Sequence, residues 1–271
     1  MKHSLTLPLF ALAVAVYCLL PFLWFVLTSF KSPAQLTAIP PELVPSFHWE
    51  FYRSALVDHG ILRYIGNSLI VAGTATVISI TIGSLAAYAI ARFRLAWTKF
   101  YLLVLLAISM FPQIAIAGPV WSILNHIDWL NSYQGLVTAY IALSLPLAIW
   151  ILTTFFGEVP VEIEEAALID GCSRVQALRK VVLPMAAPGI ITAALLVFIQ
   201  TWNEFFFALI IMTDPDLQTL PVGIALFPGE YTMPWGEIAA ASTLATLPLI
   251  FLTLFFQRGI IRGLSAGAVK G

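Results

Sequence analysis

GEVPVEIEEAALIDGCSRVQALRKVVLPMAAPG, residues 157–189, stands between two long apolar segments and holds five of the fourteen acidic residues (Glu158, Glu162, Glu164, Glu165, Asp170) and three of the thirteen basic ones (Arg174, Arg179, Lys180). An island this polar belongs in water. Its local chemistry predicts two short helices joined at Gly171. Pro160 suits the first helical position, where its missing N–H is no loss, and Glu162, Glu164 and Glu165 load the first turns with charge that favours the positive end of the helix dipole. Gly171 is the natural stop just past the first helix. Ser173 with Gln176 forms a capping box that opens the second helix, whose last turn carries Arg179 and Lys180 before Pro184 forbids continuation. Ile163, Ala166, Ala167 and Asp170 recur at helical spacing, so one face is narrow and mostly small, fit to lie in a groove on another protein. On spacing alone, an ordinary soluble loop between membrane helices fits as well.

Composition independently demands a membrane. Hydrophobic residues make up 60% of the 271 and charged residues 10%, with a mean hydropathy of +0.94, a content best spent on several spans of about 20 residues each. The net charge of −1 gives no bulk attraction to nucleic acid. Cys18 and Cys172 fall in a span and in the polar island, so neither a disulfide nor a metal site is expected of them, and His3, His48, His59 and His126 are scattered without metal-ligand spacing.

The apolar pattern predicts an all-α membrane protein, a single transmembrane domain over 1–271, with spans at about 6–30, 65–91, 98–120, 135–157, 188–211 and 238–260. Residues 158–187 form the polar hairpin and 262–271 a tail. Lys2 and His3 before the first apolar run imitate a signal peptide, but the run is too long and lacks a small-residue cleavage site, so an uncleaved first span is expected. With the amino terminus inside, the inner segments hold Lys2, Arg92, Arg94, Lys99, Arg174, Arg179, Lys180, Arg258, Arg262 and Lys270, against Lys31, Arg53 and Arg63 outside. Ten against three places both termini and the hairpin in the cytoplasm. Small residues in the second span (Gly66, Ala72, Gly73, Thr74, Ala75, Gly83, Ala86, Ala87) predict close helix packing, and Pro112, Pro119, Pro146 and Pro248 predict kinks. Phe47, Trp49, Phe51 and Tyr52 make either a short interfacial helix or an aromatic belt.

Within the fifth span, Glu204 stands in Gln200-Thr201-Trp202-Asn203-Glu204. A carboxylate at that depth must face water or a partner. Two readings stay open: a translocation path, in which Gln200, Asn203 and Glu204 hydrogen-bond hydroxyls and Trp202 offers an apolar face to a sugar ring, or a brace on a neighbouring helix or subunit. Gly263-Leu264-Ser265-Ala266-Gly267 satisfies a hydrolase elbow on paper, yet only four residues follow where that fold wants an acid and a histidine. A phosphate-binding loop of the G-x-x-x-x-G-K-[ST] type is missing, so energy has to come from another polypeptide.

Glu165-Ala166-Ala167, then Gly171, Val181 and Leu183-Pro184, resembles in order and spacing the EAA loop of the membrane subunits of binding-protein-dependent ABC importers. Val181 stands where isoleucine is usual there, and Cys172 where alanine is common. The tail Ser265, Ala266, Gly267, Ala268, Val269, Lys270 resembles the terminus of the maltose-type (MalG-like) permeases of carbohydrate importers, as do Trp202-Asn203-Glu204 and Phe155-Phe156. The resemblance implies the type I importer permease fold in a bacterial inner membrane. It implies no enzyme activity in this chain, a second, MalF-like permease, two cytoplasmic ATPases that bind ATP and Mg, an external sugar-binding protein, and lipid around the bundle. It assigns ATPase coupling to Glu164, Glu165, Ala166, Ala167, Asp170, Gly171, Arg174, Leu183 and Pro184, and ATPase contact to the tail. The alternatives are an importer of another solute, such as a glycerophosphodiester or polyamine, and a secondary transporter; the spans carry no mid-span Arg or Lys, which favours a neutral cargo. A membrane-embedded enzyme would need paired catalytic groups, and Glu204 stands nearly alone.

Overall fold

A computed structural model describes residues 6–93, 97–227 and 233–268. Among these every regular element is a helix: α1 (Thr6–Ser29), α2 (Pro33–Leu36), α3 (Glu50–Arg53), α4 (Ile61–Arg92), α5 (Thr98–Ser109), α6 (Gln113–His126), α7 (Tyr133–Glu158), α8 (Val161–Ile169), α9 (Arg174–Ala177), α10 (Leu183–Met185), α11 (Ala187–Trp202), α12 (Phe206–Ile211), α13 (Leu220–Ala225) and α14 (Trp235–Ala268). Four of them, α1, α4, α7 and α14, are long and apolar enough to cross a membrane, and up to six spans result if two bent pairs each count as one.

The bends are where the structure departs from the expected spans. The stretch expected at 98–120 is α5 and α6, which meet at 87°. Pro112, extended at ψ 123° just before α6, lacks the N–H that would continue the helix. The stretch expected at 188–211 also breaks: α11 ends at Trp202 and α12 begins at Phe206. Upstream, α9 and α10 turn into α11 through 79°. Pro119, Pro146 and Pro248 sit inside continuous helices.

One compact unit comprises Gly66–Val222 and Leu249–Gly271, and α7 is its spine. At one end Leu136 and Tyr140 of α7 pack with Val71 of α4 and with Phe207 and Ile211 of α12. At the other, Leu152 and Phe156 pack with Tyr88, Leu178 and Val182. Between these clusters the helices approach closely because the side chains are small. The buried Ser79 and Ser144 hydroxyls hydrogen-bond at 2.8 Å, and a Cβ on Gly83 would lie 3.2 Å from the Ala148 Cβ. Without a hydrophobic force between helices in lipid, such close contact and interhelical hydrogen bonds supply the attraction. Only one face of α4 is buried, holding Ala72, Ala75 and Ala87, while Thr74 is exposed.

The other unit comprises Met1–Ile65 and Gly223–Pro248. Here the aromatic segment is a short helix with a packed side. Phe51 lies over Gly236, where a Cβ would be 2.3 Å from its ring. The Tyr52 hydroxyl meets that of Ser29 at 2.8 Å, and Phe30 packs on Trp49 and Tyr52. Phe47 and Trp49 remain exposed.

Candidate functional site

The polar hairpin folds by the local rules its sequence obeys. α8 starts one residue later than expected, at Val161, with Pro160 extended in the cap position. Asp170 caps its far end, and Gly171 takes φ +87°, a left-handed conformation that costs other L-residues roughly 1–2 kcal/mol. The turn is closed by the Gly171 N–H donating to the Leu168 carbonyl at 3.1 Å and the Cys172 N–H to that of Ala167 at 3.0 Å. The second helix opens with the expected reciprocal box: the Ser173 N–H donates to Gln176 Oε1 at 2.8 Å, and the Gln176 N–H to Ser173 Oγ at 3.3 Å. It runs through a π turn at Leu178–Val182 into α10, where Leu183 is half-buried and Pro184 exposed.

The hairpin has two unlike faces. Inward, Leu178 and Val182 join the core that holds Phe156 and Tyr88. Outward, α8 presents Ile163, Glu165, Ala166 and Ile169, with Ala167 half-covered and Asp170 exposed. Ile169 is 86% exposed. Arg174 stays near the surface with its guanidinium 5.2 Å from the Phe93 ring centroid.

Glu164 does not share the outward face of its neighbour. It is 3% exposed, and its carboxylate accepts from the Tyr88 hydroxyl and, at 2.7 Å, from Arg92 Nε. Arg92 Nη2 donates to the Val159 carbonyl at 2.9 Å, so one guanidinium ties both the approach to α8 and α8 itself to the end of α4. Glu164 is thus an anchor of the hairpin, turned inward while Glu165 beside it is exposed. Sequence reasoning counted Arg92 only for topology and passed over Tyr88. Their signal was present, since both lie one helical turn apart at the polar end of a span.

The fifth-span residues do not converge. Trp202, which the path reading would have offer its face to a sugar, is 3% exposed, its ring stacked on Phe198 one turn earlier. Asn203 is exposed and its amide donates to the Ile199 carbonyl at 2.8 Å. Glu204 sits in the break and caps α12: Oε1 accepts from the Phe207 N–H at 2.9 Å and Oε2 from the Ala208 N–H at 3.2 Å. Its own carbonyl accepts from the Tyr140 hydroxyl at 3.2 Å. Gln200 alone of the four lines a groove of about 860 Å³, together with Phe111, Gln113, Pro146 and Trp150. The buried Oε1 of Gln200 has no hydrogen-bond partner among the described residues.

Of the tail, the backbone of Ser265, Ala266, Gly267 and Ala268 continues α14, while Val269 and Lys270 lie outside the described residues.

The chain is 41% identical over 264 residues to the trehalose/maltose transport system permease protein MalG of Thermococcus litoralis, covering 96% of this chain and 95% of that one. It is 40% identical over 263 residues to the trehalose transport system permease protein SugB of Mycobacterium tuberculosis, covering 95% and 94%. The diacetylchitobiose uptake system permease protein DasC of Streptomyces coelicolor is 32% identical over 262 residues, covering 96% and 95%. A crystal structure of a bacterial ABC transporter involved in the import of the acidic polysaccharide alginate contains a chain of the same fold, with a TM-score of 0.76 at 20% identity over 95% of this chain and 99% of that one. The model of one family matches residues 79–266, from the middle of α4 into the end of α14 and across the whole hairpin, and on that match the chain belongs to the binding-protein-dependent transport system inner membrane components.

Proposed function

We propose that the chain is one of two permease subunits of an ATP-driven importer that takes up a sugar, as a disaccharide, oligosaccharide or glycoside, through a bacterial inner membrane. Relatives whose names specify a cargo are named for trehalose, maltose, diacetylchitobiose or the anionic glycoside sulfoquinovosyl glycerol, so a carbohydrate is common to them, while the absence of Lys and Arg from the middles of the spans favours an uncharged one here. In this reading the chain forms a single permease domain that crosses the membrane six times with both termini in the cytoplasm. ATP and Mg are bound by two partner ATPases, a second permease completes the path, and an external binding protein delivers the sugar.

The observation that carries the reading is the outward face of the hairpin. Ile163, Glu165, Ala166 and Ile169 are exposed on a helix stiffened by caps at both ends of the following turn. Small and apolar side chains there fit a cleft on an ATPase. Closure of the ATPases moves the hairpins and opens the path outward; hydrolysis returns it. Glu165, Ala166, Ala167, Asp170, Gly171, Arg174, Leu183 and Pro184 make up this joint, with Glu164 seating it, and the tail from Ser265 to Lys270 reaches toward the ATPase interface. Gln200, in its groove, is the fifth-span residue best placed to meet a hydroxyl-bearing cargo.

Ala167→Glu and a bulky replacement of Gly171 test the joint. Sugar uptake and sugar-stimulated ATPase activity are expected to vanish while the protein still inserts and the ATPases keep their basal rate. Undiminished uptake by both variants overturns the coupling role.

A further inference from the structure

We infer that the pocket around Lys31, at the end of α1, is a binding site for the phosphate of an anionic phospholipid. Lys31 follows α1 by two residues and is 4% exposed. Its ammonium lies 4.4 Å from the Trp24 ring centroid, and among the described residues no carboxylate pairs with it. A buried cation with no counter-ion is costly, so a site of this kind favours the arrival of an anion. The side chain lines a cavity of about 400 Å³ with Trp24, Thr28, Gln35, Trp235 and Pro41. The Thr28 hydroxyl is buried and has no hydrogen-bond partner among the described residues. The cavity is thus lined by a cation that no carboxylate pairs with, the group that a phosphate monoanion satisfies. Glu42, the acidic residue nearest along this segment, is occupied by the Gln35 amide and does not line the cavity.

Two observations favour a lipid over free phosphate. The site lies at the end of an apolar helix long enough to cross a membrane, the depth at which headgroups, tryptophans and lysines gather. Below it, the chain leaves Leu20, Leu23, Trp24 and Leu27 of α1 exposed, an apolar strip on which acyl chains can lie while the headgroup reaches Lys31. A cationic side chain at that level favours a headgroup of net negative charge over a zwitterionic one, whose choline ammonium already neutralises its phosphate. None of this depends on the cargo or on the hairpin.

The test uses the whole transporter, stripped of lipid in detergent and offered equal amounts of phosphatidylglycerol and phosphatidylcholine, with bound lipid counted by native mass spectrometry. The unaltered complex should retain phosphatidylglycerol preferentially, and Lys31→Gln should weaken that preference by about fivefold, the effect of one lost charge contact near the surface. Lys31→Arg should keep it, which separates charge loss from misfolding. An unchanged preference in Lys31→Gln overturns the proposal. So does displacement of the lipid by millimolar inorganic phosphate, which would mark a site for a free anion. A carbodiimide link from Lys31 to a carboxylate of another subunit, formed equally with and without phosphatidylglycerol, also overturns it, because the counter-ion would then be protein.

Discussion

The chain interrupts its helices twice with similar devices in different solvents. At 170–173 a left-handed glycine ends α8 and a serine caps the next helix. At 203–205 Asn203 closes α11 and Glu204 caps α12. The first turn is exposed to water on its outer side, and any hydrogen bond lost there can be replaced by solvent. The second lies within an apolar stretch where an N–H without a partner has nothing to turn to. The same local motif therefore carries more weight in the second place, and a full charge is used where a hydroxyl suffices in the first. The carboxylate that draws the eye as a path residue serves the backbone first.

The largest effect should come from where the two environments meet. Glu164 and Arg92 are paired in the interior at the seat of the hairpin. Glu164→Ala leaves the guanidinium buried and unpaired, and a cost of about 3–5 kcal/mol is expected. Proteolysis of the purified complex should then cut between Glu158 and Arg179 far faster, with sugar-stimulated ATPase activity reduced in step. The double change Glu164→Leu with Arg92→Met should recover most of the protection, since removing both charges removes the penalty. If Glu164→Ala alone is as resistant as the parent, the hairpin is held by Leu178 and Val182 and not by the ion pair.

Much of this was legible in the residues before any coordinates. Gly171, the Ser173–Gln176 box and the apolar lengths of α1, α4, α7 and α14 follow from rules that act over a few residues. What could not be read depends on contacts distant in sequence. Glu164 looked like its neighbour Glu165 because helix periodicity alone does not say which face meets the bundle; the Arg92 side chain decides it, 72 residues away. Trp202 looked like a sugar platform because indole chemistry permits it, but Phe198 and the surrounding core cover the ring. The break at 203–205 escaped notice because no proline or glycine marks it, and a carboxylate can end one helix and begin another without either.

A smaller effect tests the break. Glu204→Ala removes both acceptors at the start of α12, for a loss of about 2–4 kcal/mol. Glu204→Gln keeps one oxygen for a backbone N–H and should lose less than half as much. Thermal unfolding of the complex in nanodiscs ranks the two, and uptake kinetics add the discriminating measurement. A capping role predicts that Glu204→Gln transports with an unchanged KM for sugar, whereas a carboxylate that touches cargo predicts a raised KM with little change in unfolding temperature.

The smallest effect belongs to the water-facing cap, and it completes the contrast. Ser173→Ala deletes one acceptor for the Gln176 N–H, a contact of 3.3 Å. The loss should be about 0.5–1 kcal/mol, because water reaches the freed donor and the Gln176 side chain still accepts from the residue 173 N–H. Hydrogen exchange should show faster opening confined to residues 173–178, with α8 and the ion pair at Glu164 unaffected and uptake near normal. Were Ser173→Ala instead to cost as much as Glu204→Ala, solvent would not be the variable that separates the two breaks. The hairpin would then have to be counted as an interior element, covered on its outer side by a partner even before nucleotide binds.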